Sequence, residues 1–163
     1  MTRLEAAMEQ ICAARRYSLQ LIEHVDPSDW FRMPGGGVTH VAWQMGHLAV
    51  AQFGLSGRCI EASRRDGIAE DFPRLFGKGS VPVSDPGKYP TPAEIRSECD
   101  RVHQQTIACL EQLPEEILDQ SSSPEHPMFG TRLGALIWLA QHEFSHAGQI
   151  GLLRRLMGND ALW

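Results

Sequence analysis

His142 and His146 stand four residues apart in QHEFSHAGQ. In an α-helix that spacing stacks two imidazoles on one face, one turn apart, where both can approach one metal ion. Neutral imidazole is a good ligand for zinc, nickel, iron or copper, with zinc and nickel the leading pair. The surrounding segment is strongly apolar, and two unpaired imidazoles would be costly to bury in it. The plainer reading is two hydrogen-bonded core or surface histidines. His47, in WQMGHLAVAQF, lies among residues that otherwise look like core. Alone it reads as a satisfied core histidine. With the other two it makes a triad of protein nitrogens with room for water or a substrate atom, as in a reactive rather than a closed structural site.

The string HEFSH also fits the HExxH pattern of zinc metalloproteases, whose glutamate is the general base. The further ligand would have to come from residues 147–163, which hold no histidine or glutamate and only Asp160, after the helix-ending Gly158 and Asn159. No strand region for aligning a peptide stands out, so the protease reading is set aside. Glu143 remains a candidate for orienting water at a metal, although adjacent helix positions point about 100° apart. Its alternative is a surface or ion-paired carboxylate. Gln149 is the second such candidate. It shares the face of His142 and His146 and can hydrogen-bond a ligand or a histidine, or simply bridge two helices.

Other residues carry weaker signals. Trp43, one helical turn before His47, can wall a pocket or pack in the core. Arg154 and Arg155 suit the dipole at a helix C-terminus, or an anionic substrate. His24, His40 and His103 have no obvious chemical neighbours. His126, in SPEHPMFG, is the best remaining candidate for a pocket mouth, because connections often supply substrate contacts. No local Cys–His arrangement, GxGxxG or P-loop string is present.

These side chains must be positioned by helices. Apolar residues return at helical intervals from about Thr2 to His24, and Asp26 and Pro27 interrupt them. The stretch DPSDWFRMPGGG reads as turns. Thr39 is the expected cap of a second helix running to about Arg65, locally weakened by Gly46, Gly54 and Gly57. Asp66 to Pro90 reads as a long connection with a helical turn near Glu70 to Leu75. Thr91, Pro92 and Glu94 give an N-cap, a proline at the first helical position and a capping-box glutamate, so a third helix should run to about Leu113. Leu118 to Met128 reads as a second connection. The last helix is expected from Gly130 or Thr131 to Met157. Four long helices without alternating strands predict an all-α bundle with long connections between helices two and three and between three and four. The length fits one domain, 1–163.

Composition narrows the partners. The formal charge is −5, the sequence pI about 5.8, and Lys and Arg form no long run. A phosphate-backbone binder needs a basic stripe, so a nucleic-acid partner is not expected. No apolar run has the length of a membrane span, and MTRLEAAMEQ does not read as a signal peptide. Cys12, Cys59, Cys99 and Cys109 form no CxxC and read as buried free thiols, which favours a reducing, cytoplasmic compartment.

WQMGHLA and HEFSHAGQIGLLRRLMG, in this order and at this spacing, resemble the DinB-like superfamily of metal-binding four-helix bundles. The resemblance covers nearly the whole chain and implies an up-down-down-up arrangement, often paired into homodimers. It implies metal ligation by His47, His142 and His146. Related proteins include transferases and isomerases that use low-molecular-weight thiols such as bacillithiol, mycothiol or glutathione. The leading expectation is therefore a metal-dependent enzyme acting on a small molecule, with a thiol S-transferase as the sharper form and a low-molecular-weight thiol as co-substrate. The alternatives are a hydrolase using water at the metal and a non-enzymatic, stress-related metal- or ligand-binding module.

Overall fold

Capping chemistry sets where the long helices begin. The Thr2 hydroxyl accepts from the Glu5 amide while the Glu5 carboxylate accepts from the Thr2 amide, and α1 follows over Arg3–Glu23. The structure, a computed structural model, describes residues 1–36 and 38–162, excepting the side chains of Ser123 and Glu125. Gly37, the last residue of the turn-rich stretch, and Trp163 lie outside the described residues.

Helix α2 spans Val41–Ser56, and its cap is His40 rather than Thr39: the His40 Nδ1 accepts from the Trp43 amide at 3.0 Å. The Thr39 hydroxyl instead accepts from Gln44 Nε2. α2 also stops short of Arg65. Arg65 folds back, donating to the Phe53 carbonyl at 2.6 Å and lying 4.4 Å over the Phe53 ring. The Phe53 carbonyl, already bonded to the Gly57 amide, thus takes a second donor from the chain that turns away from the helix. The expected turn near Glu70 becomes a short helix, α3 (Phe72–Phe76). Thr91 and Glu94 form the anticipated reciprocal cap of α4 (Pro92–Leu110).

Between α4 and the last helix the chain departs from expectation. Where a plain connection was predicted, β1 (Ser121–His126) pairs antiparallel with β2 (Phe129–Thr131), with an irregular register. Local pattern does not announce this hairpin. Tertiary contacts support it: Phe129 is buried, the Arg58 guanidinium lies 5.4 Å over its ring, and Arg58 donates to the Pro124 carbonyl. Thr131 then caps α5, Arg132–Leu156.

Cross-helix contacts give the order of directions. Arg3 lines a hollow with Leu133, and Leu21 lies beside Gly151, so α1 and α5 run parallel. Gln44 meets Gln149 and Cys59 meets the Arg132 carbonyl, so α2 is antiparallel to α5. Met45 pairs with Cys99 and Gln52 with His103, so α2 and α4 are parallel. The result is an up-down-down-up, all-α bundle. One apolar cluster, including Met45, Phe76, Cys99 and Ile150, underlies the end where α2 and α4 begin. A second, with Ile11, Leu110, Leu118 and Leu136, fills the other end. The four cysteines are free, Cys59 and Cys99 buried as expected and Cys12 and Cys109 only half-buried. No helix among the described residues is long and apolar enough to cross a membrane.

Candidate metal centre

The antiparallel crossing of α2 and α5 brings His47 against the HxxxH pair. One ring nitrogen from each of His47, His142 and His146 lies within 4.8 Å of the others, and all three residues are half-buried. The ring centroids are 5.4 Å apart for His47 and His142, 4.7 Å for His47 and His146, and 4.5 Å for His142 and His146.

The backs of two rings are tied to acceptors. His47 Nδ1 is 2.7 Å from the Phe76 carbonyl oxygen, which can only accept, so the proton sits on Nδ1 and the Nε2 lone pair is left for a ligand. His146 Nδ1 is 2.6 Å from Gln44 Oε1. The Gln44 amide nitrogen donates to Thr39 Oγ1 at 3.1 Å and Gln149 Oε1 at 2.9 Å, which fixes the amide's orientation and makes His146 Nδ1 the donor. Such outer contacts set the tautomer and aim of ligating histidines. Burial lowers all three imidazoles. His142 falls to about 4 and His146 to about 3, with neighbouring imidazoles adding to the shift, while the Phe76 bond partly offsets burial at His47. At neutral pH the triad is uncharged, the form in which imidazole binds a metal.

Two indoles flank the rings. Trp43 stacks on His47 at 4.8 Å with the planes 8° apart, and its Nε1 donates to Ser80 Oγ at 2.8 Å. Trp138 lies 6.4 Å from His142, with His126 6.3 Å beyond it and stacked on Phe129 at 4.3 Å. His126 is therefore near the triad, on the hairpin, but outside the cluster of converging nitrogens.

Glu143 points elsewhere. Its carboxylate takes Arg15 Nε at 2.7 Å, and both side chains are 3 % exposed. The same guanidinium donates to the Cys99 carbonyl at 3.0 Å and to Gln52 Oε1 at 2.8 Å. One arginine thus links α1, α2, α4 and α5, and the glutamate beside His142 serves that ion pair instead of facing the three rings. Gln149 reaches His146 only through Gln44. His40 packs edge-on to Phe31 and Tyr89, His103 bonds Gln52, and His24 ends α1.

Two contributors went unread in the sequence, and a third, Gly46, stands there as a weak point of the second helix. Gln44, a turn before His47 in an apolar helix, was a usable signal. The Phe76 carbonyl has no side-chain signature. Gly46 matters because a Cβ there would lie 2.4 Å from Phe76 Cγ, so only glycine lets α3 seat its carbonyl on His47.

The model for the DinB superfamily matches residues 10–150. A search of curated proteins finds no match. The crystal structure of a conserved protein of locus from Enterococcus faecalis aligns with a TM-score of 0.67 at 16 % identity, covering 96 % of this chain and 97 % of that one. At that identity the likeness shows the fold alone.

Proposed function

The chain belongs to the DinB superfamily, and from that premise we propose that it is a metal-dependent enzyme acting on a small molecule, in its sharper form a thiol S-transferase. The observation that carries this reading is the half-exposed convergence of three neutral imidazoles, two of them held from behind by Phe76 and Gln44. His47, His142 and His146 would hold zinc or nickel, and three protein nitrogens leave coordination room for a substrate. When bound, the ion supplies Lewis acidity that lowers the pKa of a coordinated thiol or water. Trp43 on His47 and Trp138 beside His142 would wall the two sides of the triad. A low-molecular-weight thiol is the proposed co-substrate. Pairing into homodimers belongs to the same proposal, supported by the exposed apolar residues Ile137 and Phe144 along α5.

The test loads metal-free protein with zinc or nickel and screens low-molecular-weight thiols against a chloroaromatic electrophile. Conversion should require both protein and metal and disappear in His47→Ala. Conversion no faster than with free metal would reject the transferase reading. X-ray absorption showing four protein ligands would reject an open site. Full metal binding in the His47→Ala, His142→Ala and His146→Ala variants would reject the ligand assignment itself.

A further inference from the structure

Arg154 sits in α5 as a buried cation with no carboxylate partner among the described residues. The residue is 4 % exposed, and its Nε has no hydrogen-bond partner. Arg15, the other deeply buried arginine, has Glu143, Gln52 and the Cys99 carbonyl. A guanidinium withdrawn from water is heavily penalised unless an acceptor or an anion meets it.

What adjoins this cation is a hollow of about 280 Å³ on the α1 side of α5, sharing no residue with the histidine triad. Arg154 and Arg155 line it together with Tyr17, Leu21, Leu152 and Leu162. Gly148 and Gly151 present bare helix to the same space. A Cβ on Gly148 would meet nothing within 4 Å, and one on Gly151 only Leu21 Cδ2 at 3.6 Å. The hollow lies near the small end of ligand pockets, which run from about 300 Å³ upward. It combines two planar, permanently charged donors with an apolar wall, the pairing that suits an oxyanion on a compact hydrocarbon.

We propose that this hollow binds a small organic anion, its carboxylate or phosphate oxygens on Arg154 and Arg155 and its apolar part against Leu21, Leu152 and Leu162. The site is independent of the metal, so it is tested on the full chain freed of metal by chelator. Benzoate and inorganic phosphate are titrated separately at matched chloride, following Tm and the amide shifts of Gly148 and Gly151. Benzoate should raise Tm by about 3–6 °C at tenfold excess over its Kd and move both amides. It should bind at least about tenfold more tightly than phosphate, since the apolar wall adds burial. Equal affinities would overturn the organic part, and no saturable response to either probe would overturn the site. Arg154→Met should raise the Tm of the ligand-free protein and abolish the benzoate response; a retained response would overturn the assignment. Gly148→Leu keeps both arginines and fills the hollow. It should fold normally and lose the response, and it decides the case if Arg154→Met lowers stability.

Discussion

Replacing Gly46 by alanine puts a methyl group 2.4 Å from Cγ of Phe76 and 2.5 Å from both Cδ atoms. Ordinary carbon contact is about 3.6 Å, so the ring must retreat by about 1.2 Å. It has little room. Phe76 is fully buried, with its ring centroid 5.0 Å from that of Phe72 and 5.7 Å from that of Tyr89. Overpacking of this kind costs about 1–3 kcal/mol, while alanine returns up to about 1 kcal/mol of helix propensity. With the full propensity gain the net expectation is a loss of up to about 2 kcal/mol. The displacement also withdraws the Phe76 carbonyl from His47 Nδ1, and losing such an outer contact lowers metal affinity by about 10–100-fold. Gly54→Ala, in the same helix, is the control: its Cβ meets nothing within 4 Å. It should therefore stabilise by about 0.5–1 kcal/mol and leave zinc binding alone. Urea unfolding reads the stability, and chelator competition at neutral pH reads zinc affinity. Gly46→Ala as stable as Gly54→Ala, with unchanged zinc affinity, would refute the reasoning.

The low pKa values make a pH prediction. Because burial holds all three imidazoles below their ordinary range, His142 near 4 and His146 near 3, zinc affinity should begin to fall at a lower pH than free imidazole would impose, as chelator competition will show. A decline beginning at the ordinary imidazole pKa of about 6.5 would contradict it. Stability follows the same sign. Unfolded histidines take up protons near 6.5, whereas native His40, His103 and His142 resist until about 4. The metal-free protein should keep this stabilisation above pH 6.5 and lose it as pH falls toward 4, read as a falling urea midpoint. Glu143→Gln leaves the Arg15 charge buried and unmatched and should cost about 3–5 kcal/mol without reducing zinc affinity in the folded protein. Replacing both partners by Met and Leu should recover most of that loss, and an undiminished urea midpoint in Glu143→Gln would count against the ion pair. Gln44→Leu removes the acceptor behind His146 and should weaken zinc binding by about tenfold or more, read by chelator competition.

Much of the fold was legible because its signals are local. Thr91 with Glu94 acts across three residues, and that cap forms as its spacing predicts; the Thr2–Glu5 cap found in the structure is equally local. The same is true of His142 and His146, whose common face follows from helix geometry. The cap at His40, the early end of α2 and the hairpin at 121–131 were not legible, since Tyr89, Arg65 and Arg58 act there from other elements.

The histidine types and spacing, with the bundle class, were determined by the sequence alone, because helical periodicity and capping depend on neighbours within about one turn. Tertiary structure decided the rest. It brought His47 onto the pair, turned Glu143 toward Arg15, and set the Phe76 carbonyl and Gln44 behind two rings. Those outcomes depend on the rotation and crossing of helices packed by distant side chains. A backbone carbonyl leaves no mark in sequence, and a helix face acquires its chemistry only from what it meets.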